Sequence, residues 1–409
     1  MKRLPRHLLP LLLLVVASGA AVLAAPTIPQ QGSTALSSFL KNATDRGDVP
    51  GVVVAVVNRS GTLYNEAFGL KSTLKSAPMT KDTLFNMASM TKPITSVAIM
   101  MLIDEGKLKL DDEVAKYLPK YKDPVVISSF NEADGSFETR PAKRAITIRH
   151  LLTHTSGIGY GFSSPMLTKI MQKTGKQELD SPMLFDPGES WAYGASTRVL
   201  GEVVEAISGQ KLDAFLDARI FKPLGMQDTA YLVPTEKYPR VVGVNARGAD
   251  GKFVERPMPP TLPATVQGDG GLYGTASDYG LFLRMLLNRG KLGDARILSE
   301  KSVKTMFEPH TGSVVVKEQQ SANLALSKNF PVGAGKDRWG LGFQLAAEQL
   351  PNRRSPGSGT WAGIFNTHFF IDPKKDIGVV VMMQTLPFYD EASMKVYAGV
   401  EEAVYRNLK

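Results

Sequence analysis

A serine three residues ahead of a lysine can be a nucleophile with its base one helical turn away, on the same face. Ser38–Lys41, Ser72–Lys75 and Ser89–Lys92 all have this spacing, and context separates them. Ser38 falls inside an N-terminal amphipathic stretch. Ser72 falls in a polar segment with no apolar helix after it. Only Ser89 runs directly into a strong helix pattern, with Ile94, Val97, Ala98, Met101 and Leu102 at i, i+3, i+4, i+7 and i+8. A helix start favours developing negative charge, and Pro93 is tolerated in a first turn. Locally, Ser89 is equally readable as a helix cap. No G-x-S-x-G elbow occurs, which argues against an α/β-hydrolase.

Other chemistries find less support. The chain has no cysteine, which excludes a thiol nucleophile, thiolate metal sites, disulfides and a lipidated N-terminus. His150 and His154 are four apart, but no glutamate follows His150 as a zinc protease requires; His154 is expected to orient a loop through hydrogen bonds. No glycine loop between a strand and a helix cradles phosphate, so neither metal nor cofactor is expected.

The elements that must carry Ser89 are legible in outline. Val52–Val57 is a continuous β-branched run expected to be buried on both faces. It turns at 58–61 into Leu63–Phe68. A second hairpin is expected from Phe365–Ile371 and Ile377–Met383, turning at 372–376. A last helix is expected through Tyr397, Val400 and Val404. Between these ends lie helix patterns: the one ending near Gly106, a second through Leu200, Val203, Val204 and Ile207 to Gly209, and a third through Phe282, Met285 and Leu286. Ser277–Asp278 is expected to cap the third. Residues 311–337 read as a long polar surface loop. The fold class is α/β: one antiparallel sheet built from N- and C-terminal segments (about 25–85 and 338–409), with a mostly helical lobe (about 86–337) inserted.

The N-terminus reads as an export signal. Lys2, Arg3 and Arg6 precede the apolar run Leu8–Ala17 and then small residues, with a cut expected after Ala24. The mature chain, residues 25–409, would be periplasmic or secreted, with no stable membrane span. The formal charge of +9 includes those three basic residues. The remaining Lys and Arg are scattered, so no nucleic-acid partner is expected.

Beyond these readings, Phe85-Asn86-Met87-Ala88-Ser89-Met90-Thr91-Lys92-Pro93 resembles the active-site segment of the class C β-lactamase-like serine hydrolases. That superfamily holds class C β-lactamases, DD-peptidases, family VIII carboxylesterases and some acyltransferases. Further segments resemble the family in order: His150–Gly157, Pro187-Gly188-Glu189 with Trp191-Ala192-Tyr193, Pro223–Met226, Gly270-Gly271-Leu272, Gly340–Phe343 and Phe370–Pro373. The resemblance implies a β-lactamase/transpeptidase-like fold over roughly 35–405. It implies Ser89 as nucleophile, Lys92 as base and Tyr193 as proton carrier.

The family's Tyr-x-Asn reads Tyr193-Gly194-Ala195 here. Its Lys-Thr-Gly or His-x-Gly strand reads Trp361-Ala362-Gly363, a form similar to family VIII carboxylesterases. By the same resemblance, the backbone N–H groups of Ser89 and Ile364 form the oxyanion hole, and Gly363 allows close approach of the backbone to a ligand. Lys173-Thr174-Gly175 and Tyr405-Arg406-Asn407 match the motifs literally but lie in the wrong place. Ala195 and Trp361 remove the amide and the cation that suit β-lactams, so a small or medium carboxylic ester is the expected substrate. Arg353 or Arg354 is a weaker candidate to restore the cation. The alternatives are a β-lactamase, a D-amino-acid peptidase or acyltransferase, and, from another class, an envelope protein that binds penicillins or peptidoglycan without turnover.

Overall fold

The computed structural model describes residues 25–256 and 266–409. The expected export signal, 1–24, lies outside the described residues. The helices that matter for the site are α1 (Gln30–Asp45), α2 (Thr91–Asp104), α3 (Ser196–Ser208), α4 (Ala276–Leu287) and α5 (Glu391–Asn407). The main strands are β1 (Gly51–Val57), β2 (Thr62–Ser72), β3 (Ala77–Pro78), β4 (Arg338–Trp339), β5 (Gln344–Leu345), β6 (Gly359–Gly363), β7 (Thr367–Asp372) and β8 (Ile377–Met382). They form one antiparallel sheet in the order β4-β5-β6-β7-β8-β1-β2-β3, so N- and C-terminal segments meet at the β8–β1 pair.

Strand β1 shows why the sheet is central. All seven of its residues are buried. Val52, Val54 and Val56 face a core shared with Leu36 and Leu40 of α1 and Val396, Val400 and Val404 of α5. Val53, Ala55 and Val57 face a larger core shared with Tyr279, Phe282 and Leu283 of α4. A strand with two covered faces has no polar face to show, which is why the sequence runs apolar instead of alternating. Five buried valines contribute on the order of 10 kcal/mol of transfer free energy, most of it offset by chain entropy.

Two local expectations change. Helix α2 shows one apolar face in its spacing, but Thr91 to Leu102 are all buried. It is a central helix, and its polar members bond internally: Thr95 Oγ1 donates to Gly268 O at 2.7 Å and Ser96 Oγ to Lys92 O at 2.9 Å. The cap of α4 is Thr275, not Ser277–Asp278. Its side chain accepts from the Asp278 N–H, while the Asp278 carboxylate accepts from Asp228 N and Thr229 Oγ1.

Residues 311–337 contain no regular helix or strand, as expected, but they are not a free surface loop. Gln319 and Phe330 exchange backbone hydrogen bonds at 3.1 and 2.9 Å, closing a narrow hairpin. Ala322 N donates to Phe162 O at 2.8 Å, and Leu326 and Lys328 bond the backbone of Phe388. The segment is a strap from the helical lobe to the sheet side, with Phe330 edge-on to Trp361.

Candidate active site

Ser89 sits in a single 3-10 turn, Ala88–Met90, immediately before α2. It is not the helix cap: the N-cap position is Met90, and no side chain bonds there. The turn is held from both sides. Asn86 Oδ1 accepts from Ala88 N at 3.0 Å, and the short strand Phe85–Asn86 pairs with Tyr273–Gly274. Ala88 has φ of 45°, a left-handed conformation that a non-glycine residue adopts only under constraint.

Two side chains converge on Ser89 Oγ, and a third backs one of them. Lys92 Nζ is 3.1 Å away and Tyr193 OH donates to Oγ at 2.6 Å. Trp361 Nε1 reaches Tyr193 OH at 3.4 Å, and the two rings pack at 4.8 Å between centroids. Tyr193 comes from the segment before α3. Gly194 is required there because a Cβ would overlap the carbonyl of Ile158. Trp361 comes from β6, whose end lies against the nucleophile's turn: a Cβ on Gly363 would overlap the Met87 carbonyl and Thr367 Oγ1. The glycine is therefore needed for strand-to-turn approach, more directly than for approach to a ligand as expected from sequence. Ser89, Tyr193, Trp361, Gly363 and Ile364 line one small cavity with Phe162, Gln319, Gln320 and Phe388.

The electrostatics divide the roles. Burial is the main cause that lowers the Lys92 pKa to about 7; Arg198 adds to the lowering and Asp269 opposes it. Holding this ammonium buried near neutrality costs roughly 5 kcal/mol relative to water. Burial also pushes the Tyr193 phenol up, so it stays protonated. Lys92 donates to the backbone carbonyl of Asp269 at 2.7 Å and lies 4.8 Å from the Tyr193 ring centroid.

Several sequence-level expectations are corrected here. Ala195 is fully buried at the N-cap position of α3, within the core and not among the cavity-lining residues. Its lack of a polar group therefore acts beneath the site, not on the ligand. Arg353 and Arg354 restore no cation. Arg354 is bound by Glu401 and Tyr397, and Arg353 donates to Ala398 O. His154 does not orient its loop through a side-chain Nδ1 bond, because that atom has no partner among the described residues. Its ring packs instead at 5.2 Å on Tyr193 and 5.0 Å on Trp339.

The rejected serines are structural. Lys41 pairs with Asp45 at 2.6 Å, and Ser72 Oγ bonds Glu255 and Lys75 N. A further match, Ser208–Lys211, straddles the Gly209 end of α3. Lys173-Thr174-Gly175 is a helix end, and Tyr405 donates to Asp372 from α5. The sequence reading missed Tyr160, Arg198 and Asp269, which meet beside Lys92. It also missed the strap's Gln319 and Gln320. No motif marks any of them; only the folded chain brings them to the nucleophile.

With this geometry in hand, similarity decides the family. The sequence matches the family described as Beta-lactamase over residues 36–402. The chain belongs to the beta-lactamase family. Among its relatives is Esterase EstB of Burkholderia gladioli, 30% identical, covering 86% of this chain and 90% of that protein. Lovastatin esterase of Penicillium rubens is 28% identical, covering 91% and 98%. The solved structure of simvastatin synthase (LovD) from Aspergillus terreus superposes with a TM-score of 0.78 at 26% identity, covering 92% of this chain and 98% of that one. Esterases and an acyltransferase are thus among the relatives of this beta-lactamase-family chain, and the fold is the beta-lactamase/transpeptidase-like fold.

Proposed function

We propose that the protein is an exported serine esterase that forms an acyl-enzyme on Ser89 and acts on small carboxylic esters. The observation that carries this reading is a serine hydroxyl between a buried lysine and a buried tyrosine, in a cavity lined by no charged side chain among the described residues. Neutral Lys92 takes the Ser89 proton as Oγ attacks the ester carbonyl. The carbonyl oxygen, now negative, receives the backbone N–H groups of Ser89 and Ile364. Tyr193 gives its proton to the departing alkoxide and regains one from the Lys92 ammonium, leaving acyl-Ser89 and free alcohol. Water then enters by the reverse proton path and releases the acid.

The substrate reading follows from what surrounds the nucleophile. A β-lactam brings a carboxylate, and here Trp361, Phe162, Phe388 and Ile364 offer it apolar surface instead of a cation. The cavity beside Ser89 is small, about 30 Å³, and the strap's Gln319 and Gln320 form part of its wall. A narrow site of this kind favours a short acyl group while the strap stays in place. Transfer of the acyl group to an alcohol in place of water is the second reading, favoured by the likeness to simvastatin synthase.

The test is turnover of a nitrophenyl ester chain-length series and of a chromogenic cephalosporin, with and without an added alcohol, beside Ser89→Ala. Short-chain ester turnover lost in Ser89→Ala is expected. Faster cephalosporin than ester turnover would overturn the substrate reading, and a stable adduct without turnover would favour a binding protein. N-terminal sequencing of the protein recovered outside the cytoplasm should begin at Ala25.

A further inference from the structure

We infer that Arg198, bound to Asp269, is a positioning residue that keeps Lys92 available as a neutral base by holding the nearest carboxylate away from it. The inference rests on the reading of Lys92 as the base of Ser89.

Asp269 meets Lys92 in an unusual way. Its backbone carbonyl, not its carboxylate, accepts the Lys92 hydrogen bond at 2.7 Å. The carboxylate is turned aside and fully engaged. Arg198 binds it through both ends of the guanidinium, with Nε to Oδ1 at 3.2 Å and a terminal nitrogen to Oδ2 at 3.1 Å, and Tyr160 OH donates to Oδ2. The Asp269 side chain is 3% exposed, so water cannot replace these partners. A planar two-point clasp fixes the carboxylate orientation in a way that a point charge does not.

The other groups facing Lys92 carry no formal negative charge as placed here. Ser89 lies on its own turn, His154 and Tyr160 come from the segment after the 148–152 helix, and Tyr193 comes from the segment before α3. Burial holds His154 deprotonated and Tyr160 and Tyr193 protonated. Glu178 stands behind Arg198, 3.5 Å from its guanidinium. Asp269 is therefore the carboxylate that could convert Lys92 into a lasting ammonium, and Arg198 the cation that answers it. An ammonium has no lone pair to accept the serine proton.

The experiment is the pH profile of kcat/KM on a short nitrophenyl ester for the mature protein and its variants. The wild type should show an acid limb near pH 7. Arg198→Met leaves the carboxylate unanswered, and its limb should move up by about one unit or more. Asp269→Asn leaves Arg198 unanswered, and its limb should move down by a similar amount. The double variant should return toward the wild type, and Arg198→Lys should recover part of the shift.

Circular dichroism establishes that each variant is folded, and Arg198→Gln replaces Arg198→Met if the latter does not fold. A wild-type limb that stays within about 0.3 unit in both single variants, or moves the same way in both, would overturn the inference alone. Absence of any acid limb in the wild type would remove the Lys92 base reading and this inference together.

Discussion

Two buried cations show how one fold makes a structural charge and a chemical one. On the outer face of the sheet, Arg354 is clasped by Glu401 at 2.8 and 2.9 Å and bonded by Tyr397 at 2.7 Å. It lies over the Phe370 ring at 4.5 Å. Burial alone would lower its pKa, but Tyr397 and Glu401 outweigh burial and raise it. On the inner face, Lys92 is the more deeply buried, 2% exposed against 13% for the Arg354 side chain, and its partners are a hydroxyl and a carbonyl instead of a carboxylate. Burial wins there, and the pKa falls to about 7. Desolvation acts on both groups, but it leaves a permanent cation where a carboxylate is aimed at the group, and a titratable base where the carboxylate is turned away.

The inner face also carries polar atoms left without a partner among the described residues: His154 Nδ1, Trp191 Nε1 and Trp339 Nε1, whose rings pack on one another. A packed aromatic wall here supports Tyr193 and Trp361 at the cost of unmade hydrogen bonds. The outer face is not wholly satisfied either, since His368 Nε2 is unpaired, but its ion pair is complete. Buried unmade bonds of this kind cost about 1–3 kcal/mol each. They are tolerated where function, not stability, sets the design.

The largest expected break in this comparison is chemical. Ser89→Ala should lower kcat on esters by about 10⁴-fold or more, with little change in melting temperature, as read by steady-state kinetics and calorimetry. Next is Glu401→Ala, which leaves Arg354 as an uncompensated buried cation. Stability should fall by about 3–5 kcal/mol in urea unfolding, with esterase activity per folded molecule nearly unchanged.

Lys92→Met should do the opposite, abolishing turnover while raising the melting temperature at pH 6. The sign follows from the depressed lysine. Between the folded value of about 7 and the ordinary value near 10.5, the unfolded chain binds the extra proton, so native stability rises with pH across that window. Below pH 7 the wild type carries the full burden of the buried ammonium, and the methionine variant is relieved of it. Thermal melts of both proteins from pH 6 to 10 should converge as pH rises. The smallest effect concerns the strap. Phe330→Ala removes its contact with Trp361 and should shift the ester preference toward longer acyl chains by roughly tenfold or less, as read by kcat/KM across the series.

How much of this was legible depended on whether the signal was local. The β1 valines, the last hairpin and the final helix announce themselves because burial on two faces or on one stripe imposes a repeating pattern, whereas the strand carrying Trp361 is reached only through the family resemblance. The Ser89–Lys92 pair is local too, but its spacing recurs at Ser38, Ser72 and Ser208, and what separates it from them is the apolar helix that follows it together with the order of the later segments. Thr275 was missed as a cap because Ser277 and Asp278 are equally plausible by residue type; the bond to Asp278 N decides between them. His310-Thr311-Gly312 matches His-x-Gly by spelling, yet His310 sits between Arg149 and Thr305.

What the sequence alone determined is the list of chemical groups and the order of the elements that carry them: a serine, a lysine and a tyrosine with a glycine-ended strand to follow. Only the tertiary structure decided that Ala195 lies beneath the site, that the 311–337 segment crosses over it, and that Asp269 offers Lys92 its carbonyl and Arg198 its carboxylate. The physical reason is that a pKa and a cavity belong to no residue. They are set by which groups from distant parts of the chain share one small volume of low dielectric, and no repeating pattern in a sequence records that.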